Sequence, residues 1–329
     1  MADDKIRWGI IGTGGIARLF ARGLEQLTDA ELVAVGSRSQ QSADEFGDTF
    51  NVPRRHASYE ALAADPDVDV VYVSTPHPFH YENSLLCLDA GKAVLCEKPF
   101  TINAAEAGAL IARAREKRLF LMEAMWTRFF PAAYRLRELL AQGVIGDVRM
   151  LQADFGFRAA FDPKNRLFAP ALGGGALLDV GVYVVSFASM VLGAPRHAVG
   201  LADLGATGVD EQSAMVLGYD GGRLAVLSSA VRTETPQEVL IYGTQGRIRV
   251  HRKFFQPQKL TVEVSGAEHT EIEMPMQGNG YHYQAVEVAR CLRAGLLESE
   301  VMPLDETLTI MQTLDRIRAP WGLKYPTEL

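Results

Sequence analysis

The chain has 329 residues, which is long for a single hydrophobic core and suits two domains. Hydrophobic residues make up 48% and charged residues 22%, an ordinary balance for a globular protein, and the net charge of -7 argues against a nucleic-acid partner, whose phosphates demand a basic face. Cys87, Cys96 and Cys291 are too few and too scattered for a disulfide framework or a zinc site, and they fit a reducing cytoplasm.

The start, MADDKIRWGIIG, is acidic and lacks the basic opening and apolar stretch of a signal peptide, so a cytoplasmic location is expected. Residues 7–11 read as a strand and 16–26 as a helix. Gly12, Thr13, Gly14, Gly15, Ile16 and Ala17 join them and match G-x-G-x-x-G/A. That pattern serves a tight turn, close backbone approach to a diphosphate and close packing of helix on strand, with free N–H groups at the helix start. A second strand, 32–35, sits where an NAD-binding chain usually ends in Asp or Glu. Here Gly36, Ser37 and Arg38 follow, and no acid appears until Asp44. Ser37 donates a hydrogen bond where an acid would accept one, and Arg38 pairs with a phosphate in a forked geometry. Together they are expected to favour NADP over NAD; the alternative is a solvated pair at a loop start.

Short helices begin near 42 and 59. The apolar, β-branched run 68–74 reads as a strand covered on both faces, and 79–90 as a helix with Gly91 capping its C-terminus. A strand at 93–96, a helix at 103–117 and a strand at 119–123 complete an alternation that means parallel strands joined by crossover helices. Two loops then fall at the carboxyl edge of the sheet, where ligands bind in this architecture. TPHPFH, 75–80, offers Thr75, Pro76, His77 and His80 to a cofactor through backbone contacts; no carboxylate or cysteine cluster accompanies the histidines, so no metal is expected. CEKPF, 96–100, offers Glu97 and Lys98. Pro99 keeps Lys98 out of helical geometry, so that it can reach a nicotinamide ribose and a substrate hydroxyl.

The pattern changes after residue 125. A helix at 132–142 and a strand at 147–157 lead to a loop rich in Pro and Gly, then to a helix at 175–192. The apolar stretch 176–195 is broken by Asp179 and ended by Gly193 and Pro195, so a buried helix is expected rather than a membrane span. Asp179 and Tyr183 are four apart and share a helix face. They form either a structural hydrogen bond that pins the helix or a proton-handling site facing an interdomain cleft. In the second case Tyr183 is the proton donor and the charge of Lys98 draws its pKa down. Residues 197–275 read as successive antiparallel strands with turns at 219–222 and 243–246, followed by helices at 283–294 and 305–318. The expected architecture is α/β: a Rossmann, doubly wound parallel sheet over 1–125, then an α+β domain over 126–329 with an open-faced, mainly antiparallel sheet. The free face of that sheet would take substrate or a second subunit.

GIIGTGGIA, VYVSTPHPFH and VLCEKPF together resemble the Gfo/Idh/MocA family of NAD(P)-dependent oxidoreductases. MEAMWTRFFP, 122–131, and GGGALLDVGVY, 173–183, are similar to the branch holding dihydrodiol dehydrogenases and NADP-dependent D-xylose dehydrogenases. The resemblance implies catalysis by Lys98, Asp179 and Tyr183, and dimerisation through the C-terminal sheet. It implies substrate contacts from Trp126, Arg128 and Phe129, whose alternative is a core-packed junction. Inositol dehydrogenase-like relatives carry His at the position of Tyr183, which points to the tyrosine-bearing branch. The expected reaction is reversible hydride transfer between the nicotinamide of NADP and a hydroxyl-bearing carbon of a pyranose sugar or cyclic polyol. Its rivals are an NADPH-dependent keto-sugar reductase and a non-catalytic NADP-binding sensor. A sensor has no need of Lys98, Asp179 and Tyr183 together.

Overall fold

The computed structural model describes residues 5–329; the acidic start, 1–4, lies outside the described residues. Short runs, mostly apolar except at the edge strand β3, build the first sheet: β1 (Ile6–Ile11), β2 (Ala30–Gly36), β3 (Arg54–His56), β4 (Val70–Val73), β5 (Ala93–Cys96) and β6 (Leu121–Glu123). All pair in parallel, in the order β3-β2-β1-β4-β5-β6. Every residue of β4 and β5 is buried, as a strand covered on both faces requires. Helices α1 (Gly15–Leu24), α2 (Gln40–Phe50), α3 (Tyr59–Ala63), α4 (His80–Asp89) and α5 (Ala104–Lys117) make the crossovers. Two of these start on serine caps: Ser39 Oγ accepts from Ser42 N, and Ser58 Oγ from Ala61 N. The strand order reverses beside β1, and the crevice outside the carboxyl ends at that point is where dinucleotides bind in such sheets.

The second sheet follows α6 (Pro131–Ala141). Its strands are β7 (Val148–Gly156), β8 (His197–Leu204), β9 (Asp210–Gly218), β10 (Leu224–Ala230), β11 (Val239–Gly243), β12 (Gly246–Val250), β13 (Lys259–Val264) and β14 (Thr270–Glu273). They lie in the order β14-β13-β12-β11-β7-β10-β9-β8. The two expected turns join β9 to β10 and β11 to β12 as antiparallel hairpins. One expectation needs correction: the strands after 197 are not all successive antiparallel neighbours. β7 lies between β10 and β11 and pairs in parallel with β10. The link 231–238 contains Pro236 and no hairpin turn, and Asp154 of β7 draws it across, its carboxylate accepting from Gln237 N at 2.6 Å. Helix α7 (Val182–Leu192) packs on β7 and β10, while the other face of β8–β10 carries Leu201, 82% exposed, and Val199, 62% exposed, with Val216, Leu224 and Val226 also exposed.

The chain divides into two compact units. The first runs through Thr101 and adds Ala105–Trp126 and Gln277–Thr307; the second holds Ile102–Ala104, Thr127–Met276 and Leu308–Leu329. Residues 277–307 thus join the first unit from far along the chain. They return because α8 (His282–Arg293) packs on α1, with Ala285, Val288 and Ala289 buried and the side-chain amide of Asn279 donating to Leu19 O at 2.7 Å. Helix α9 (Leu304–Arg318) begins in the first unit and ends in the second. Pro170–Leu192 is the one segment of the described residues long and apolar enough to cross a membrane, and 89% of its most apolar window is buried in protein.

Candidate active site

In the first unit, the phosphate turn depends on Gly12, whose φ is +99° and whose absent Cβ would lie 3.0 Å from Ser74 Oγ and 3.1 Å from Ser74 O. A side chain would meet both backbone strain and a clash there. Gly14 and Gly15 are different: no atom lies within 4 Å of where their Cβ would be, so the backbone is open to a ligand. Ile16 is half-buried, while Ala17 is fully buried and seats the helix on the sheet. Gly14 caps α1 without a side-chain hydrogen bond, leaving the first N–H groups for an anion. These features fit the diphosphate of a dinucleotide.

Ser37 is buried at the end of β2, and its N–H donates to His56 O at 3.0 Å. Arg38 is exposed and borders a cavity of about 600 Å³ that is also lined by Tyr59, Thr75, Pro76, Phe79 and Asn83. Burial raises the Tyr59 phenol above its ordinary pKa, against the charge and hydrogen bond of Arg38, which lower it. Tyr59 was not among the expected site residues. Its signal was local: Ser58 caps α3, which fixes Tyr59 as the first helical residue.

The loops after β4 and β5 are tied together from beneath. His80 is fully buried, with Nδ1 2.8 Å from Pro99 O and Nε2 2.7 Å from Thr75 O. Burial holds its pKa down to about 4, and the Lys98 charge also lowers it, against the raising effect of the two carbonyls. A neutral ring has one N–H and donates to one carbonyl at a time. Asn83 Nδ2 donates to Thr75 Oγ1 at 3.2 Å, and His77 is largely buried beside His80, ring centroids 5.8 Å apart. Glu97 is also turned inward: Tyr72 donates its hydroxyl to Oε1, and Lys98 N donates to Oε2 at 3.1 Å. The side chains of His80 and Glu97 thus support the loops from inside, while Thr75 and Pro76 line the cavity and Lys98 is half-buried. No group of His, Cys, Asp and Glu able to hold a metal occurs among the described residues. Trp126 stacks on Tyr281 with ring centroids 4.3 Å apart.

In the second unit, Asp179 lies in a π-helical turn, Leu177–Gly181, that leads into α7. Asp179 and Tyr183 are both buried. Asp179 Oδ1 accepts from Arg166 Nη1 at 2.7 Å, a partner the sequence reading missed. The Tyr183 ring lies 5.4 Å from Phe155 and 6.1 Å from Phe255, and those two rings stack 4.3 Å apart. Neither Phe155 nor Phe255 is among the site residues expected from the sequence. Asp210, fully buried at the start of β9, accepts from Leu177 N at 2.7 Å and so holds the helix start. Burial pushes its pKa up to about 7. Arg128 is buried and committed to α7, with Nη2 donating to Ser186 O at 2.7 Å and Nε to Ser186 Oγ at 3.2 Å. Phe129 is buried too.

Residues 6–125 match the model of the oxidoreductase family with an NAD-binding Rossmann fold, and residues 134–249 match the GFO/IDH/MocA C-terminal domain. The chain is similar to the trans-1,2-dihydrobenzene-1,2-diol dehydrogenase of Mus musculus, 41% identical over 335 residues that cover 98% of this chain and 99% of that one. It is 39% identical to the Homo sapiens protein of the same name, over 98% of this chain and 99% of that one. Among solved structures it is similar to a 3-ketoreductase from Actinomadura kijaniata in complex with NADP and TDP-benzene, with a TM-score of 0.86, 28% identity, and coverage of 96% of this chain and 97% of that one.

Proposed function

This chain belongs to the Gfo/Idh/MocA oxidoreductase family, and from that premise we propose that it uses NADP to oxidise or reduce a hydroxyl-bearing carbon of a pyranose sugar or related cyclic diol. One observation supports this reading most: a single phenol, Tyr183, sits among aromatic rings one helical turn from a paired carboxylate. Aromatic faces suit the flat C–H faces of a cyclic substrate, and a phenol is a proton carrier.

When bound, the nicotinamide supplies the hydride acceptor or donor. The residues of the chain do the rest. The turn from Gly12 to Ala17 and the start of α1 hold the diphosphate. Ser37 and Arg38, with Tyr59 beside Arg38, take the 2′-phosphate. Thr75, Pro76 and the backbone near His77 border the cofactor, and His80 and Glu97 fix those loops from within. Oxidation of CH–OH to C=O releases one hydride and one proton; Tyr183 Oη accepts the proton from the hydroxyl and returns it in the reverse direction. Lys98 would bind the nicotinamide ribose, and Tyr183 hands its own phenol proton on to solvent as it takes that of the substrate. Asp179 orients a substrate hydroxyl. Trp126 and Phe129 shape the substrate region, and Arg128 acts through α7 as a positioning residue.

A two-way screen tests the proposal. NADP reduction is measured with D-xylose, other monosaccharides and trans-diols of dihydrobenzene type, and NADPH oxidation with ketoses and dicarbonyls. Turnover in either direction with a cyclic substrate is expected. Cofactor binding with no turnover across both panels would replace the enzyme reading with a sensor. The likeness to an NADP-bound 3-ketoreductase favours one second reading, a keto-sugar reductase, and faster NADPH oxidation with keto-sugars would select it.

We also propose that the exposed apolar face of β8–β10 pairs with the same face of a second copy. Val199, Leu201, Val216, Leu224 and Val226 form a band of the kind a monomer seldom leaves in water. Leu201→Arg combined with Val216→Glu is expected to halve the mass measured by light scattering; an unchanged mass would remove this face from the interface.

A further inference from the structure

The glycines at 173–175 do more than start a helix. Gly173 and Gly175 have φ of 69° and 119°, where only glycine is at ease. Gly174 is needed for closeness: a Cβ there would lie 2.9 Å from Leu167 O and 3.0 Å from both Arg166 O and Ala169 N. The motif therefore lets the segment 166–169 lie directly on the helix start. Leu167 O accepts from Gly175 N at 2.9 Å, and Ala169 O accepts from Gly174 N at 3.1 Å. The segment has a defined internal form as well. Asp162 Oδ1 accepts from Lys164 N, Asn165 Oδ1 accepts from Leu167 N, and Phe168 is fully buried.

This scaffold carries Arg166, whose side chain is 56% exposed yet reaches Asp179, whose side chain is 5% exposed. A buried carboxylate needs a partner, and a guanidinium on a flexible loop would serve that need poorly. Here the loop is held by backbone bonds on the helix that bears the carboxylate. The result is a fixed hydrogen-bond donor beside a fixed acceptor, one helical turn before Tyr183.

We propose that Arg166 is a specificity-determining residue that makes the site demand a second hydroxyl next to the one that reacts. The neighbouring hydroxyl accepts a hydrogen bond from the Arg166 guanidinium and donates one to the Asp179 carboxylate. A simple alcohol makes neither of these two added hydrogen bonds and is therefore held less well than the diol. The inference rests on the CH–OH oxidoreductase reading above and adds a requirement to it.

The test compares trans-1,2-cyclohexanediol with cyclohexanol, using the full chain with NADP. The wild type is expected to prefer the diol in kcat/KM. Arg166→Met is expected to lose about tenfold to a hundredfold of that preference, mostly through KM for the diol, with the rate on cyclohexanol little changed. Arg166→Lys should recover part of the preference. An equal loss on both substrates, or an unchanged ratio, overturns the inference while leaving the activity intact. Binding is read separately, as the rise in Tm that each alcohol produces at equal concentration. A diol-specific rise retained by Arg166→Met overturns the inference whatever the turnover. Absence of any alcohol oxidation by the wild type, with a diol-specific rise that Arg166→Met abolishes, fails the activity reading and supports the recognition.

Discussion

Replacing Tyr183 by phenylalanine is expected to lower kcat by about a thousandfold, with cofactor affinity held within about twofold, because positioned proton transfer contributes roughly 10²–10⁴ to a rate. The substitution removes one oxygen and leaves the ring. That ring is held by packing against Phe155 and Phe255, and a phenyl group keeps those contacts. The helix beneath it is fixed independently, by Asp210 at Leu177 N and by Arg128 at Ser186. Loss of the hydroxyl should therefore change neither the fold nor Tm by much, and any fall in turnover belongs to the proton step. Steady-state kcat and the NADP dissociation constant, measured by quenching of intrinsic fluorescence, separate the two effects. Turnover within tenfold of the wild type would take Tyr183 out of the mechanism. A matching loss of cofactor affinity would make its role structural.

The parts of this molecule legible in its sequence are those encoded locally. The apolar, β-branched run at 68–74 announces a strand covered on both faces, and Gly12 announces a tight turn that its positive φ reserves for glycine. Serines at 39 and 58 mark helix starts through bonds only three residues long. What stayed hidden depends on partners far apart in sequence. Asp154 pulls the link after β10 across β7 through a contact 83 residues away, and no local pattern carries that information. His80, expected to meet the cofactor through its backbone, and Glu97 carry side chains whose direction no local pattern sets. Their partners, Pro99 and Tyr72, turn them inward. Arg166 was hidden for a different reason: it stands in a polar loop, where an arginine is ordinarily a solvated charge. Only the close approach at Gly174 shows that this loop rests on the Asp179 helix.

Cofactor choice should reverse when Ser37 becomes Asp and Arg38 becomes Ile together. The expected change in the ratio of kcat/KM for NADP to that for NAD is about a thousandfold or more, toward NAD, since a charge-assisted hydrogen bond is worth roughly 1.5–3 kcal/mol and a forked arginine makes two. The backbone allows this swap. Ser37 is held at the end of β2 by its N–H bond to His56 O, so a carboxylate placed there emerges at the same edge of the sheet. It would accept from ribose hydroxyls and repel a 2′-phosphate, which is the discrimination the wild-type pair lacks. Arg38→Ile alone should raise the KM for NADP by about tenfold to a hundredfold and alter NAD little, because the guanidinium acts on the phosphate that NAD does not have. Tyr59 provides the internal control. Its hydroxyl meets Arg38, so Tyr59→Phe should give a smaller loss in the same direction, through a less well-held guanidinium. If the wild type uses both dinucleotides equally and the double variant does no more than weaken both, Ser37 and Arg38 are a solvated pair, and selectivity must be sought among the other walls of the cavity that Tyr59 lines.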